Sequence, residues 1–267
     1  MTANGTDPNP FTLVEGCRYG RFLVPPTDAY VGRALQEYGE YSEAELDVLL
    51  SMITNETRVV VAGANMGSLV VPLARHAWEV VAFEPQRWMS QLLAANVVLN
   101  GLLNVRTYWA ALGNKPGLVT IPMLRPDMPN NFGAFEIEAV QDVPGDLVPV
   151  YKLDNVPDIA MGLLTIDVEG MELDVLQGAE QTIAKCRPIV YFEADRALKR
   201  GAVFDWFRAR NYSLHWHRTP LFNPKNFKGK PEDLWGNKET LVIAENVLAL
   251  PNERGIKALN FPPVLEL

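Results

Sequence analysis

Acids at the ends of apolar runs are the residues of this sequence best placed to do chemistry. Asp167 and Glu169 follow the apolar stretch in GLLTIDVEG, and Glu193 closes the next one, PIVYFE. A strand buried on both faces leaves its charges at the rim, where a carboxylate stays hydrated or meets a ligand. There it can take the proton of a bound acceptor as a general base, a role worth typically ~10²–10⁴-fold in rate. The structural alternative is that Asp167 bonds backbone amides and that Glu169 or Glu172 caps the helix beginning near Gly170. His215 and His217 alternate on one face of YSLHWH, where a neutral imidazole is a further candidate base. With no identifiable third ligand beside them, no metal site is expected.

A second constellation has a different use. In VVVAGANMG an apolar run leads into Gly63, Ala64 and Asn65, then Gly67 and a helix. Glycine there permits a tight turn and close approach of a ligand to the backbone, although a purely structural turn has the same pattern. A dinucleotide fingerprint would have its second and third glycines where this chain has Asn65 and Ser68. That argues against NAD and FAD, whose pyrophosphate rests on the helix N-terminus. S-adenosylmethionine fits the spacing better, because its methionine tail and sulfonium need no phosphate cradle. Glu84, followed by Pro85, ends the next strand 21 residues after Gly63. An acid at that point accepts hydrogen bonds from both ribose hydroxyls; the alternative is a helix N-terminal charge favoured by the dipole.

These residues need elements that hold them on one rim. RVVVAG (58–63), EVVAFEP (79–85), GLLTID (162–167) and PIVYFE (188–193) alternate with helical stretches at 67–77, 86–100, 171–186 and 202–210. Such alternation predicts right-handed βαβ units and a doubly wound, mostly parallel α/β sheet with helices on both faces. Residues 1–26, rich in Pro, Gly and Asn, read as a loose lead-in, and 1–37 as that lead-in plus a first helix. The main domain then spans 38–267. Ser42 and Glu45 in YSEAELDVLL have the spacing of a capping box opening a second helix. Residues 115–155 read as a strand-rich insertion. Two strand candidates, 212–217 and 240–251, flank a long segment, 218–237, with Phe222, Phe227 and Trp235 among Lys225, Lys228 and Lys230. Its length suggests a lid over the acceptor.

The motifs GEYSEAE (39–45), VAGANMGS (61–68), VAFEP (81–85), the Asn96 and Asn100 pair, LDN (153–155) and LTIDVEGMELDVLQGAE (164–180) resemble, in order, those of FkbM-type methyltransferases. The resemblance covers residues 38–195. It implies a Rossmann-like class I methyltransferase with a seven-stranded sheet, and S-adenosylmethionine near Gly63, Ala64, Asn65, Gly67, Glu84, Pro85 and Asp167. The acceptor it implies is a hydroxyl of a small molecule or glycan. Methylation of a small-molecule amine and non-catalytic binding of an adenosyl ligand are the rival readings. One position departs from the family, which carries an aspartate where this chain has Val61. Glu40 and Tyr41 are placed to compensate for it.

Composition sets outer bounds. With 48% hydrophobic and 21% charged residues over 267 positions, the chain can bury a substantial core without disulfides. Cys17 and Cys186 read as free thiols of a reducing compartment, and no leader or membrane-spanning run is visible, so a cytoplasmic protein is expected. A net charge of −8 repels nucleic acid and anionic membranes, and neither is expected as a partner. The oligomeric state is not legible.

Overall fold

The computed structural model describes residues 9–131, 144–236, 240–256 and 261–265. The chain opens with a hairpin, β1 (Thr12–Cys17) and β2 (Gly20–Val24), before helices α1 (Val31–Tyr38) and α2 (Glu43–Ser51). This corrects the loose lead-in expected for residues 1–26, of which 1–8 lie outside the described residues. The hairpin's partner is remote in sequence. Asn96 accepts from the Leu23 N–H at 2.6 Å and donates to the Leu23 carbonyl at 3.1 Å. Asn100 treats Arg21 in the same way at 3.0 and 2.7 Å. A side-chain amide carries the donor and acceptor of a peptide group, so two asparagines of a helix satisfy the edge of β2.

Strands and helices then alternate as expected: β3 (Arg58–Ala62), α3 (Val70–Ala74), β4 (Glu79–Phe83), α4 (Arg87–Leu99) and β5 (Val105–Tyr108). A small sheet follows, of β6 (Ala111–Leu112), β7 (Gly117–Pro122) and β8 (Gly145–Tyr151), in the order β6-β8-β7. It overlaps residues 115–155, of which 132–143 lie outside the described residues. The main sheet resumes with β9 (Leu163–Ile166), α5 (Glu172–Gly178), α6 (Glu180–Cys186), β10 (Ile189–Glu193), α7 (Ala197–Arg208), β11 (Tyr212–Pro220) and β12 (Ile243–Pro251). The helix expected at 171–186 is broken at Ala179, and that at 67–77 shrinks to α3 because Gly67, at φ 91°, keeps the turn non-helical before it.

Seven strands form one sheet in the order β11-β12-β10-β9-β3-β4-β5, with β12 antiparallel to both neighbours. The apolar strands alternate their side chains between two cores. Val60, Ala62, Leu164 and Ile166 face α5, α6 and α7, whereas Val59, Val61 and Leu163 face α2, α3 and α4. Burial on both faces explains why these strands lack polar alternation. The chain reverses direction across the sheet between β3 and β9, so a crevice opens outside their carboxyl ends, where such sheets bind ligands. Among the described residues, no helix is long and apolar enough to cross a membrane.

Candidate functional site

The turn after β3 is built by close backbone contact. Gly63 has φ 82°, and a Cβ on it would stand 1.7 Å from the Asp167 carbonyl oxygen, so only glycine lets β3 and β9 end side by side. The Gly63 and Ala64 amides both donate to the Phe83 carbonyl at 3.0 Å, tying the turn to β4. Asn65, itself left-handed at φ 49°, turns its amide onto Glu84 Oε2 at 2.7 Å. The Gln86 amide donates to Glu84 Oε1 at 2.8 Å, and the Gln86 side chain caps α4 through the Met89 amide at 2.9 Å. Two main-chain donors therefore fix the Glu84 carboxylate, and each oxygen keeps a lone pair for a further donor. Burial raises its pKa to about 7 against the pull of those amides, with Asp167's charge adding to the rise.

Glu84 lies in a cavity of about 710 Å³, counting the part open to solvent. Its walls are mainly apolar, from Phe83, Ala110, Leu112, Ile121 and Met171, and Pro85 closes one side. No Lys, Arg or His lines it among the described residues, so nothing in it suits a phosphate. A mainly apolar slot in which Glu84 is oriented by two amides, with Asp167 and Glu169 at one end, fits a purine and its ribose diol.

A second cavity, of about 1190 Å³ on the same measure, lies on the α2 side of the sheet rim. It shares Gly63, Asn65, Asp167 and Glu169 with the first and adds Tyr41, Glu45, Glu193, Arg196 and Asn246. Asp167 thus stands where the two meet. Asp167, Glu169 and Glu193 bring carboxylate oxygens within 4.8 Å of one another. That spacing could hold a cation; here a guanidinium serves, since Arg196 hydrogen-bonds Glu169 and reaches Asp195 at 3.3 Å. Glu169 keeps a left-handed backbone, φ 55°, to point back at the rim.

The pair Asp167 and Glu193 shares a proton. Burial raises both pKa values, the neighbouring acids push the same way, and Glu193 is raised furthest. Glu193 therefore hydrogen-bonds Asp167, and the two titrate together as one pair. The buried Glu193 Oε2 has no hydrogen-bond partner among the described residues, which suits a neutral acid better than a carboxylate. Burial likewise pushes Glu169 up, and Arg196 offsets only part of the rise.

Three expected site residues line neither cavity: Gly67, Glu40 and His217. Glu40 lines neither cavity: Arg18 donates to it at 2.7 and 2.9 Å, Asn223 Nδ2 at 2.6 Å and the Phe227 amide at 2.9 Å. His217 is also outside both cavities, its Nδ1 at 2.8 Å from the Tyr191 hydroxyl and its ring against Phe261; burial lowers its pKa and keeps it neutral. Of the segment 218–237, whose residue 237 lies outside the described residues, only Leu221 lines the second cavity. Residues 218–220 complete β11, and beyond Leu221 the segment is fastened to α1 and the residue before it, with Tyr38 packed on Phe222 and bonded to Leu234, and Tyr30 stacked on Trp235.

Glu45 and Asn246 were not foreseen as site residues. The capping box that Glu45 suggested does not form, because Ser42 is left-handed (φ 53°) and makes no side-chain cap. Glu45 turns into the second cavity instead, accepting from Asn246 Nδ2 at 2.8 Å.

The open, doubly wound sheet with a cavity at its switch point is Rossmann-like, and the family match makes it a class I methyltransferase fold. The match to the family model described as "Methyltransferase FkbM domain" spans residues 62–214. The chain belongs to this family, and S-adenosylmethionine is the cofactor that membership implies. Among solved structures it is similar to the methyltransferase FkbM from Methylobacillus flagellatus KT, with 18% identity, TM-score 0.49, and 74% of this chain and 44% of that one covered. The chain thus spans less than half the length of that relative. It is also similar to precorrin-6y C5,15-methyltransferase from Geobacter metallireducens GS-15, with 12% identity, TM-score 0.47 and coverage of 76% and 86%. A methyltransferase from Streptococcus mutans in complex with SAH shares 9% identity, with TM-score 0.44 and coverage of 78% and 96%. No curated protein sequence matches the chain.

Proposed function

We propose that this protein methylates a hydroxyl group of a small molecule or glycan, with the acceptor in the second cavity and Asp167 as the base. The observation that carries this reading is the place of Asp167, in the wall of both cavities and hydrogen-bonded to Glu193. When bound, S-adenosylmethionine supplies an electrophilic methyl group. Glu84 would hold the ribose, Gly63 and Asn65 would let the backbone lie close to the ligand, and Phe83, Leu112 and Ile121 would cover the adenine.

The chain's own part in the chemistry is positioning and proton removal. Alignment of two reactants is worth roughly 7–11 kcal/mol. Asp167 accepts the acceptor hydroxyl's proton at a carboxylate oxygen, and Glu193 steadies its charge by donating the hydrogen bond described above. A pKa raised toward neutrality makes Asp167 a stronger base than an ordinary aspartate while leaving it ionised at working pH.

The acid excess of the second cavity also favours an amine acceptor, which carboxylates would attract. Asp167→Asn tests both readings, with S-adenosylhomocysteine release measured on polyols, phenols, glycans and small amines. A hydroxyl acceptor predicts a ~10²-fold or larger fall in kcat with unchanged donor affinity and melting temperature. Turnover on amines alone transfers the proposal to nitrogen, and full turnover in a folded variant removes Asp167 from the chemistry.

A further inference from the structure

We propose that Glu45, delivered from the first turn of α2, recognises the ammonium of the donor's methionine tail. The inference rests on the reading of the first cavity as the adenosine slot. With ribose on Glu84, the rest of the donor must leave that slot through the residues common to both cavities, Gly63, Asn65 and Asp167. Beyond them the second cavity is walled by the same turn, through Ala64, Ser68 and Leu69. On β3 the nearest side chain is that of Val61, which offers no charge. Facing this stretch from α2 is Glu45.

Glu45 is suited to a cation by what surrounds it. Its carboxylate makes no salt bridge with any described residue; its partners are the Asn246 amide at 2.8 Å and the Ser42 hydroxyl. An enclosed carboxylate without a counter-charge is unfavourable, and a bound cation relieves it. Burial and the charge of Asp167 raise its pKa to about 7, as expected for an acid whose positive partner has yet to arrive. Asn246 is itself buried and fixes Glu45 Oε1 in the cavity wall. Tyr41 also lines the cavity. Glu193 also lacks a cation, but its proton is shared with Asp167 at the reaction centre.

Calorimetry with three probes tests the assignment: S-adenosylhomocysteine, its desamino analogue, and 5′-methylthioadenosine, which lacks the amino-acid tail. The wild-type protein should bind S-adenosylhomocysteine at least about tenfold tighter than the desamino analogue. Glu45→Gln should erase that preference and leave 5′-methylthioadenosine affinity within about twofold. Equal wild-type affinity for the first two probes overturns the proposal without any variant, even if Glu45→Gln folds poorly. An equal loss for all three probes in a folded Glu45→Gln also overturns it, since Glu45 would then shape the cavity rather than read the ammonium. Failure of the wild-type protein to bind even 5′-methylthioadenosine would instead sink the adenosine slot, and this inference with it.

Discussion

The first cavity is a slot of mainly apolar side chains in which Glu84 is held by two main-chain amides, with Asp167 and Glu169 at the part it shares with the second. The second is lined by Glu45, Asp167, Glu169, Glu193, Asp195 and Glu245 against one lining guanidinium, Arg196. Arg200 and Arg218 reach Glu245 from outside at 3.0 and 2.7 Å, but none of the described cations pairs with Glu45 or Glu193. The first is thus fixed by backbone geometry and specifies a rigid, common ligand portion. The second is fixed by side chains, so it responds to ligand charge.

The largest test of this contrast is Gly63→Ala. The new Cβ would meet backbone at φ 82°, and backbone cannot swing aside. A stability loss of about 3 kcal/mol or more and loss of S-adenosylhomocysteine binding are expected in calorimetry. An unperturbed melting curve would mean that the slot does not depend on main-chain contact. Next, Glu84→Ala removes hydrogen bonds to a charged group and should weaken S-adenosylhomocysteine by about tenfold or more. Glu193→Gln, in the other cavity, should leave that affinity within about twofold.

Proton linkage sharpens the comparison further. Glu84 keeps its proton up to about pH 7 in the folded chain, whereas its ordinary value is 4.5. A raised acid stabilises fully below the unfolded value, and that stability is lost as pH rises through the folded one. The ligand-free melting temperature should therefore fall between about pH 5 and 8, and Glu84→Gln should flatten the slope. An equally steep slope in the variant would assign the effect to the second cavity's acids. The smallest effect is expected at His217→Gln, which loses the Tyr191 bond at a cost of about 1 kcal/mol and leaves kcat within about twofold. A hundredfold loss of turnover there would extend the proton path beyond both cavities.

The parts of the site legible in sequence are those where one strand determines the outcome. Gly63, Glu84 and Asp167 each follow an apolar run, so their position at the rim follows from the strand itself. Glu45 was hidden by its spacing from Ser42, which matches a helix cap although the observed backbone turns the acid inward. Asn246 lies on β12, whose place between β10 and β11 is set by tertiary pairing over long separations. The hairpin was missed for the same reason, since its edge is completed by Asn96 and Asn100 rather than by a third strand. Glu40 shows the reverse: its neighbourhood in the motif pointed to the ligand, and distant residues claimed its carboxylate.

Glu40 joins the hairpin turn through Arg18, the end of α1 through its own backbone, and the 221–236 segment through Asn223 and Phe227. Three stretches separated by some two hundred residues of chain converge on two oxygen atoms. In hydrogen-exchange terms they should open as one cooperative unit rather than fray singly. Releasing any one of them frees the others, so the three stretches separate together or stay joined.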